Sequence, residues 1–146
     1  MVPLLPFLTY RCKFIEPCCG ENDLVNHLEL EGHSCVAAFD EETDARTYRK
    51  PDDLEANYFI TNPPWSRDLL HPIITNLREQ LPTWILLDAD WAHTKQAAEY
   101  MKYCSKMVAV GRVKWIPNSP YTGKDNCCWY KFDKELQQTI FYGRSK

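Results

Sequence analysis

Apolar positions along this chain fall into short strand-like runs that are separated by stripes with helical spacing. The strand-like runs cover residues 14–17, 35–40, 58–61, 84–88, 107–116 and 127–132, with a further short strand predicted at 139–142. The first helical stripe, at residues 24–28, ends at Gly32. A second stripe spans residues 69–77, where Pro72 predicts that the helix starts or kinks. A third helix is predicted after Thr94, a suitable N-cap.

The alternation of strands and helices predicts an α/β sheet with helices on both of its faces. The polar stretch at 41–55 contributes at most one short strand, near residues 47–49. Pro117, Pro120 and Gly123 predict a hairpin loop between the last two long strands. Right-handed crossovers bring the carboxyl ends of parallel strands to one edge of the sheet, and ligands bind there, near the point where strand order reverses.

Length and composition predict one domain that spans residues 1–146. Apolar residues make up 45% of the chain, which is enough to form a core. No apolar run is long enough to cross a bilayer. The apolar N-terminus is broken by Pro3 and Pro6 and lacks the basic start and cleavage site of a signal peptide. We therefore expect a cytoplasmic protein that does not associate with membranes.

The cysteines predict neither a disulfide scaffold nor a zinc site. Their number is odd, two pairs are directly adjacent, and no CxxC spacing occurs. Most of them lie in apolar, strand-like segments, where a free cysteine acts as a small hydrophobic residue. The set comprises Cys12, Cys18, Cys19, Cys35, Cys104, Cys127 and Cys128. Reduced thiols are the expected state.

The net charge of −3 bears on nucleic-acid binding. A free-standing DNA-binding protein usually has a surplus of basic residues. The acidic balance of this chain therefore counts against tight autonomous binding. A local basic patch around Arg112, Lys114 and Lys124 is the remaining candidate surface.

The segment from Glu16 to Asn22 is the first candidate at the ligand edge, where a strand runs into a tight turn and a helix start. Gly20 lets the backbone approach a ligand closely, because it has no Cβ. Asn22 tolerates a left-handed conformation, and Asn22 or Asp23 can cap the helix. The turn lacks GxGxxG spacing and a Walker lysine, which disfavours a nucleoside triphosphate. Glu16 suits a cationic group such as the ammonium of a methionine moiety, and an ordinary strand–helix turn is the alternative.

Asp40 is the second candidate, at the end of the next strand-like run. In nucleoside-binding α/β folds, an acidic residue at this place accepts hydrogen bonds from ribose hydroxyls. The alternative is a solvated charge at a strand end. Together with the turn after the first strand, Asp40 favours the ribose interpretation.

Asn62, Pro63, Pro64 and Trp65 form the most specific motif of the chain. Two consecutive prolines remove two backbone donors and fix φ twice. The carbonyls of Asn62 and Pro63 are thereby left unpaired, and the Asn62 side-chain oxygen adds a third acceptor. These acceptors can hold both hydrogens of an amino group and favour its conversion to a nucleophile. Trp65 can stack on a base, or it can belong to the core.

These motifs resemble those of class I S-adenosylmethionine-dependent methyltransferases, specifically the DNA N6-adenine type. The (D/E)PxxGxG cofactor loop of that family matches residues 16–22, with Asn22 in place of the second glycine. Its (D/N)PP(Y/F/W) catalytic turn matches residues 62–65. Residues 111–115 and 129–132 are similar to the closing hairpin of small phage and bacterial members.

The resemblance implies a three-layer Rossmann-like fold, with a mostly parallel seven-stranded sheet and an antiparallel C-terminal hairpin strand. It implies catalytic roles for Asn62, Pro63, Pro64 and Trp65. It also implies that S-adenosylmethionine is bound, and S-adenosylhomocysteine released, by Glu16, Pro17, Cys18, Gly20, Asn22, Asp40 and Asp53. Asp40 would bind ribose, and Asp53 or its neighbour Asp52 would contact adenine.

Two parts expected from this family are missing from the sequence. No N-terminal helix with a Thr-Pro-like element precedes residue 14, and no target-recognition domain is visible. We therefore expect weak sequence preference, a homo-oligomer, or a partner that supplies recognition.

Asp88, Asp90 and His93 follow another strand at the same edge. Two acids at this spacing can hold a metal, but they more often cap a strand end, and we expect no metal. His93 is a candidate substrate contact, and a structural histidine is the alternative.

The sequence as a whole favours direct methyl transfer to an exocyclic amino nitrogen, with adenine N6 in DNA as the preferred substrate. Adenine N6 in RNA, cytosine N4 and a protein glutamine amide stay open, since release-factor methyltransferases share an Asn-Pro-Pro-aromatic turn. A minimal cofactor-binding subunit that needs a partner, or is inactive, is the non-enzymatic alternative.

Overall fold

A computed structural model describes residues 2–112 and 125–144 of the chain. Seven strands are formed within them: β1 (Lys13–Glu16), β2 (Ser34–Ala38), β3 (Tyr58–Thr61), β4 (Thr83–Asp88), β5 (Cys104–Arg112), β6 (Asn126–Phe132) and β7 (Ile140–Tyr142). The α-helices are α1 (Asp23–Leu30), α2 (Arg67–Arg78) and α3 (Ala98–Met101), and 3-10 helices cover Val2–Phe7 and Ala89–His93.

The strands form one mixed sheet in the order β2-β1-β3-β4-β6-β5-β7. β6 runs antiparallel to both of its neighbours, whereas the other pairs are parallel. The predicted fold class, a mostly parallel seven-stranded sheet with an antiparallel hairpin strand, is confirmed. Strand order reverses beside β1, since β2 pairs on one side of it and β3 on the other.

Alternate residues of the strands face opposite layers, as the period of a strand requires. On one face, Ile60 and Leu86 pack with Leu24 and Leu28 of α1. The opposite face is covered by α2. Ile73 and Leu77 pack on Ile15 and Phe59, and Leu70 and Ile74 pack on Ile85 and Leu87. The central strands are apolar on both faces because helices cover both, as is typical of parallel sheets.

Three local predictions differ from the structure. Residues 47–49 form no strand, because the Asn76 side chain of α2 donates to the carbonyls of Ala45 and Tyr48 and holds this stretch in turns. Of the two alternatives predicted for Pro72, a helix start is wrong, because α2 begins at Arg67 and includes the proline; a kink at Pro72 stays a prediction. The helix predicted after Thr94 is short, although the Thr94 hydroxyl accepts the Ala97 N–H at 3.2 Å as expected of a cap.

The C-terminal strands complete the sheet. The short terminal strand predicted at 139–142 is confirmed as β7, at the edge beside β5. Gly111 has φ of +82° at a register shift between β5 and β6, and a Cβ there would lie 2.8 Å from the Arg144 guanidinium. The predicted loop with Pro117, Pro120 and Gly123 lies outside the described residues.

Within the described ranges, no helix has the length and apolarity needed to cross a membrane. All seven cysteines lie among the described residues and are free thiols.

Candidate active site

The ends of β1 and β3 meet where the strand order reverses, and one carboxylate joins them. Glu16, the last residue of β1, is 1% exposed. Its Oε1 accepts the Cys18 N–H at 2.7 Å, and its Oε2 accepts the Asn62 N–H at 3.3 Å. A single side chain therefore connects the loop after β1 with the Asn-Pro-Pro-Trp turn after β3.

Burial dominates the electrostatics of this carboxylate. Desolvation raises the pKa of Glu16 from its ordinary 4.5 to about 7, against the opposing effects of the Thr61 hydroxyl and the Cys18 and Asn62 N–H groups. The nearby negative charge of Asp40 raises it further. Because both of its oxygens already accept backbone N–H groups, Glu16 organises the two loops. Its role as a direct ligand of an ammonium group stays a prediction.

The loop after β1 adopts the backbone that the sequence predicted. Gly20 has φ of +52° and Asn22 has φ of +68°, so Asn22 occupies the left-handed conformation expected where a second glycine is usual. The Asn22 side chain makes no capping hydrogen bond to α1. A Cβ added to Gly20 would meet nothing within 4 Å, so space is open beside this backbone.

Asp40 is brought to the same edge by backbone contacts. The Phe39 N–H donates to the Glu16 carbonyl at 3.0 Å, and the Cys19 N–H donates to the Phe39 carbonyl at 2.7 Å. Asp40 follows two residues after β2, is exposed, and donates its own N–H to Glu42. The carboxylate is therefore accessible to a ligand that also contacts the loop after β1.

The structure does not bring Asp53 to this edge. Asp53 lies in an exposed turn that Lys50 stabilises by donating to the carbonyls of Pro51 and Leu54. The chain then reaches Asn57, whose side chain accepts the backbone N–H of Lys13 at the start of β1. This turn therefore leads into the amino edge of the sheet. The contact of Asp53 with adenine stays a prediction without support from this geometry.

Asn62, Pro63 and Pro64 form a turn with open acceptors. Asn62 is half-buried, Pro63 is buried and Pro64 is exposed. Among the described residues, the carbonyls of Asn62 and Pro63 and the side-chain amide of Asn62 have no hydrogen-bond partner. The two prolines have no N–H to donate within this turn, so these acceptors face no competing backbone donor from them. The half-buried position excludes part of the solvent that would compete for the same acceptors.

Trp65 fixes the turn to the neighbouring strand. Its indole N–H donates to the Leu86 carbonyl of β4 at 3.3 Å, and its ring packs against the cores on both faces of the sheet. Arg67 donates to the Trp65 carbonyl at 3.3 Å. Trp65 is half-buried. The Trp65 ring is therefore packed partly in the core and is partly accessible to solvent.

The loop after β4 also lies at the carboxyl edge of the sheet. The Tyr130 hydroxyl donates to the Asp88 carbonyl at 2.9 Å, and Asp88 accepts the Asp90 N–H at 3.1 Å in a local cap. His93 is exposed at the end of the following 3-10 helix. Within the described residues, no group of three metal-ligating side chains is assembled. The Asp88 carboxylate therefore caps the end of the strand, which is the structural alternative for this residue.

Thr61 is the site residue that the sequence analysis missed. It is fully buried at the end of β3, and its hydroxyl opposes the rise in the pKa of both Glu16 and Cys18. The hydroxyl makes no well-directed hydrogen bond among the described residues. The sequence signal that could have identified Thr61 is its place as the polar last residue of an apolar strand, directly before the Asn62 motif.

No protein-family model and no curated protein matches the sequence of this chain. Its fold, in contrast, is similar to that of solved structures. A dimethyladenosine transferase from Plasmodium falciparum aligns with a TM-score of 0.54 and 12% identity over 90% of this chain, which spans 59% of that protein. A TehB-like SAM-dependent methyltransferase from Corynebacterium glutamicum aligns with a TM-score of 0.54 and 12% identity, covering 92% of this chain and 86% of its own. The chain therefore has the Rossmann-like fold of these methyltransferases.

Proposed function

We propose that this protein transfers the methyl group of S-adenosylmethionine to an exocyclic amino nitrogen, with adenine N6 in DNA as the favoured acceptor. The observation that carries the proposal is the hydrogen bond from the Asn62 N–H to the Glu16 carboxylate. It joins the loop that resembles a cofactor site to the turn with open acceptors. The two similar structures, one named as a dimethyladenosine transferase and the other as a SAM-dependent methyltransferase, support methyl transfer in general terms.

The residues at this edge fit S-adenosylmethionine. The left-handed residues Gly20 and Asn22 shape an open loop between β1 and α1, and α1 begins beside it. The exposed Asp40 carboxylate can accept two ribose hydroxyl hydrogen bonds. When bound, the cofactor supplies an electrophilic methyl group. We expect no metal to take part.

The turn after β3 supplies the acceptors for the reacting nitrogen. The Asn62 side-chain oxygen and the Pro63 carbonyl would each accept one N–H of the amino group and draw the nitrogen toward a tetrahedral shape. Its lone pair then becomes available for in-line attack, and positive charge that develops on the nitrogen is stabilised. Because Pro63 and Pro64 fix the backbone in advance, the acceptors need little reorganisation during the reaction.

A planar base is the acceptor that best suits the half-buried Trp65. Its ring is fixed through the Leu86 carbonyl and can stack on an extruded base. One similar structure is named as a dimethyladenosine transferase, which agrees with an adenine as the acceptor, and RNA adenine is the nearest alternative. Cytosine N4 and a glutamine amide carry the same NH2 group. A homo-oligomer or a partner protein would supply target recognition.

The test is transfer of labelled methyl groups from S-adenosylmethionine to DNA, RNA and protein pools. We expect incorporation into DNA with N6-methyladenine as the product, and loss of it on Asn62→Ala with cofactor affinity unchanged. Exposed Asn26 of α1 provides a matched control, since Asn26→Ala removes the same amide away from the turn. Losing one transition-state acceptor is expected to lower kcat about a hundredfold or more.

Three outcomes would contradict parts of this proposal. Incorporation that survives Asn62→Ala would exclude the assigned mechanism. Label that enters RNA or protein instead of DNA would move the substrate to one of the alternatives. Calorimetry that detects no S-adenosylmethionine binding to the folded protein would reject methyl transfer altogether, whereas cofactor binding without transfer to any pool would indicate a cofactor-binding subunit.

A further inference from the structure

The 3-10 helix Ala89–His93, which follows β4 at the carboxyl edge of the sheet, is attached to α2 through a buried tryptophan. Trp91 is fully buried, and its indole N–H donates to Nε2 of His71 at 3.2 Å. The two residues are 20 positions apart, so this hydrogen bond joins two separate elements. The attachment of the 3-10 helix to α2 therefore depends on the state of the His71 ring.

The hydrogen bond from Trp91 requires a neutral His71. A neutral imidazole has one donor nitrogen and one acceptor nitrogen, whereas both nitrogens of the protonated ring are donors. Because Nε2 accepts from Trp91, Nδ1 holds the proton of the neutral ring. A second proton on Nε2 would place two donors against each other and leave the buried indole N–H without a partner, which is costly. Protonation of Nε2 and this hydrogen bond therefore exclude each other.

The position of the His71 ring allows it to exchange protons with solvent in the folded protein. The ring stacks on Tyr100 of α3, with centroids 4.4 Å apart and an angle of 27° between the planes. It is only half-buried, and it lines an open cleft between α2 and α3. Protonation therefore does not require α2 or α3 to unfold.

Several titratable side chains share this cleft with His71, and the 3-10 helix faces the ring with the uncharged Trp91. They are Arg67, Asp68 and Glu79 of α2, Arg46 of the turns before β3, and Tyr100 of α3. Desolvation, and then the positive charge of Arg67, lower the pKa of His71 from its ordinary 6.5. The hydrogen bond is therefore fully present above about pH 6.5 and is lost as the pH falls through the lowered pKa.

The contacts that remain after protonation hold only the start of the 3-10 helix. The Tyr130 hydroxyl lies 2.9 Å from the Asp88 carbonyl and 3.2 Å from the Ala89 carbonyl. The Trp91 ring also packs edge-on against the Tyr130 ring, at a centroid distance of 5.4 Å. Residues 91–93 would thus lose their side-chain hydrogen bond to α2, whereas Asp88 and Ala89 would stay in place.

We infer that His71 is a pH-sensitive switch, whose protonation breaks the hydrogen bond to Trp91 and increases local opening of the 3-10 helix Ala89–His93. The inference concerns the conformation of this segment and does not depend on the proposed methyl transfer. The step is the transfer of one proton from solvent to Nε2 of His71, and it needs no other reactant.

NMR titration of the whole protein between about pH 8 and about pH 5 tests the inference. We expect the indole N–H signal of Trp91 to shift with the same midpoint as the His71 ring signals, below about pH 6.5. Amide hydrogen exchange of residues 89–93 at about pH 5 should be about tenfold faster than in His71→Gln at the same pH. The glutamine side chain does not titrate, and its oxygen can accept the Trp91 N–H at every pH.

His93→Gln is the matched control, because His93 is the exposed histidine of the same 3-10 helix. This variant should keep the wild-type shift of the Trp91 signal and its midpoint. A Trp91 signal that does not change while His71 titrates would overturn the inference. So would a transition that persists in His71→Gln but disappears in His93→Gln. If His71→Gln does not fold, the wild-type titration still decides, since different midpoints for Trp91 and His71 contradict the switch.

Discussion

Replacing Glu16 by glutamine should change how the stability of the protein depends on pH. The wild-type carboxylate is buried, and desolvation raises its pKa from 4.5 to about 7. Between these two values the native state holds a proton that the unfolded chain has released. Stability contributed by this group is therefore fully present below about pH 4.5 and is lost as the pH rises through about 7.

The size of this effect follows from the two pKa values. Each unit of pKa difference corresponds to about 1.4 kcal/mol, so the wild type should lose about 3 kcal/mol of unfolding free energy across this range. The glutamine side chain of the variant has no charge to desolvate and should lose none of it. Its amide would present N–H groups to the Cys18 or Asn62 donor, which costs about 1–3 kcal/mol at every pH. Glu16→Gln should therefore be destabilising in acid and become neutral or stabilising above pH 7.

Urea denaturation under reducing conditions, followed by tryptophan fluorescence, measures this difference at about pH 5 and about pH 8. Glu21→Gln is the control. Glu21 is exposed in the same loop, and substitution at such a surface site usually changes stability by less than about 0.5 kcal/mol. If the wild type and Glu16→Gln differ by the same free energy at both pH values, the buried carboxylate does not titrate in this range.

Three further substitutions test other parts of the structure. Asn22→Gly should raise the unfolding free energy by up to about 1 kcal/mol, since glycine accepts φ of +68° without strain; a loss of stability would mean that the side chain itself is needed. Trp65→Phe removes the indole N–H that donates to the Leu86 carbonyl, so it should lower the unfolding free energy by about 1 kcal/mol in urea denaturation and should also reduce methyl transfer. If stability and activity are both unchanged, this hydrogen bond is dispensable. Gly111→Ala should lower the melting temperature because φ of +82° strains a residue with a Cβ, whereas the nearby Arg144 guanidinium can move aside; full stability would mean that this edge of the sheet relaxes at no cost.

Continuous apolar strands were the part of the fold that local pattern could predict. The run at 58–61 became β3 with the same bounds, because a strand buried on both faces must be apolar throughout. The stretch at 47–49 resembled a strand by composition. Its conformation is instead set by Asn76, 28 residues beyond Tyr48, which donates to the Tyr48 carbonyl. Such a long-range contact leaves no trace in local periodicity.

In the candidate site, too, some features could be predicted from the sequence and others depend on long-range contacts. The positions of Asp40 and the Asn62 turn at the sheet edge followed from topology alone, since parallel strands present their carboxyl ends together. The use of Glu16 as a link to Asn62 was not predictable, because it depends on two oxygens reaching N–H groups on different loops. The burial of Thr61 beside this carboxylate depends on the same assembled geometry.

The strand order has a consequence for synthesis of the chain. β6 lies between β4 and β5, although it is made after both of them. Until Phe132 has left the ribosome, the edge of β4 lacks its partner, and the apolar residues from Trp84 to Leu87 stay exposed to other nascent chains. We therefore expect this sheet to close late and cooperatively, and we expect ribosome-associated chaperones to bind the translating chain until β6 inserts.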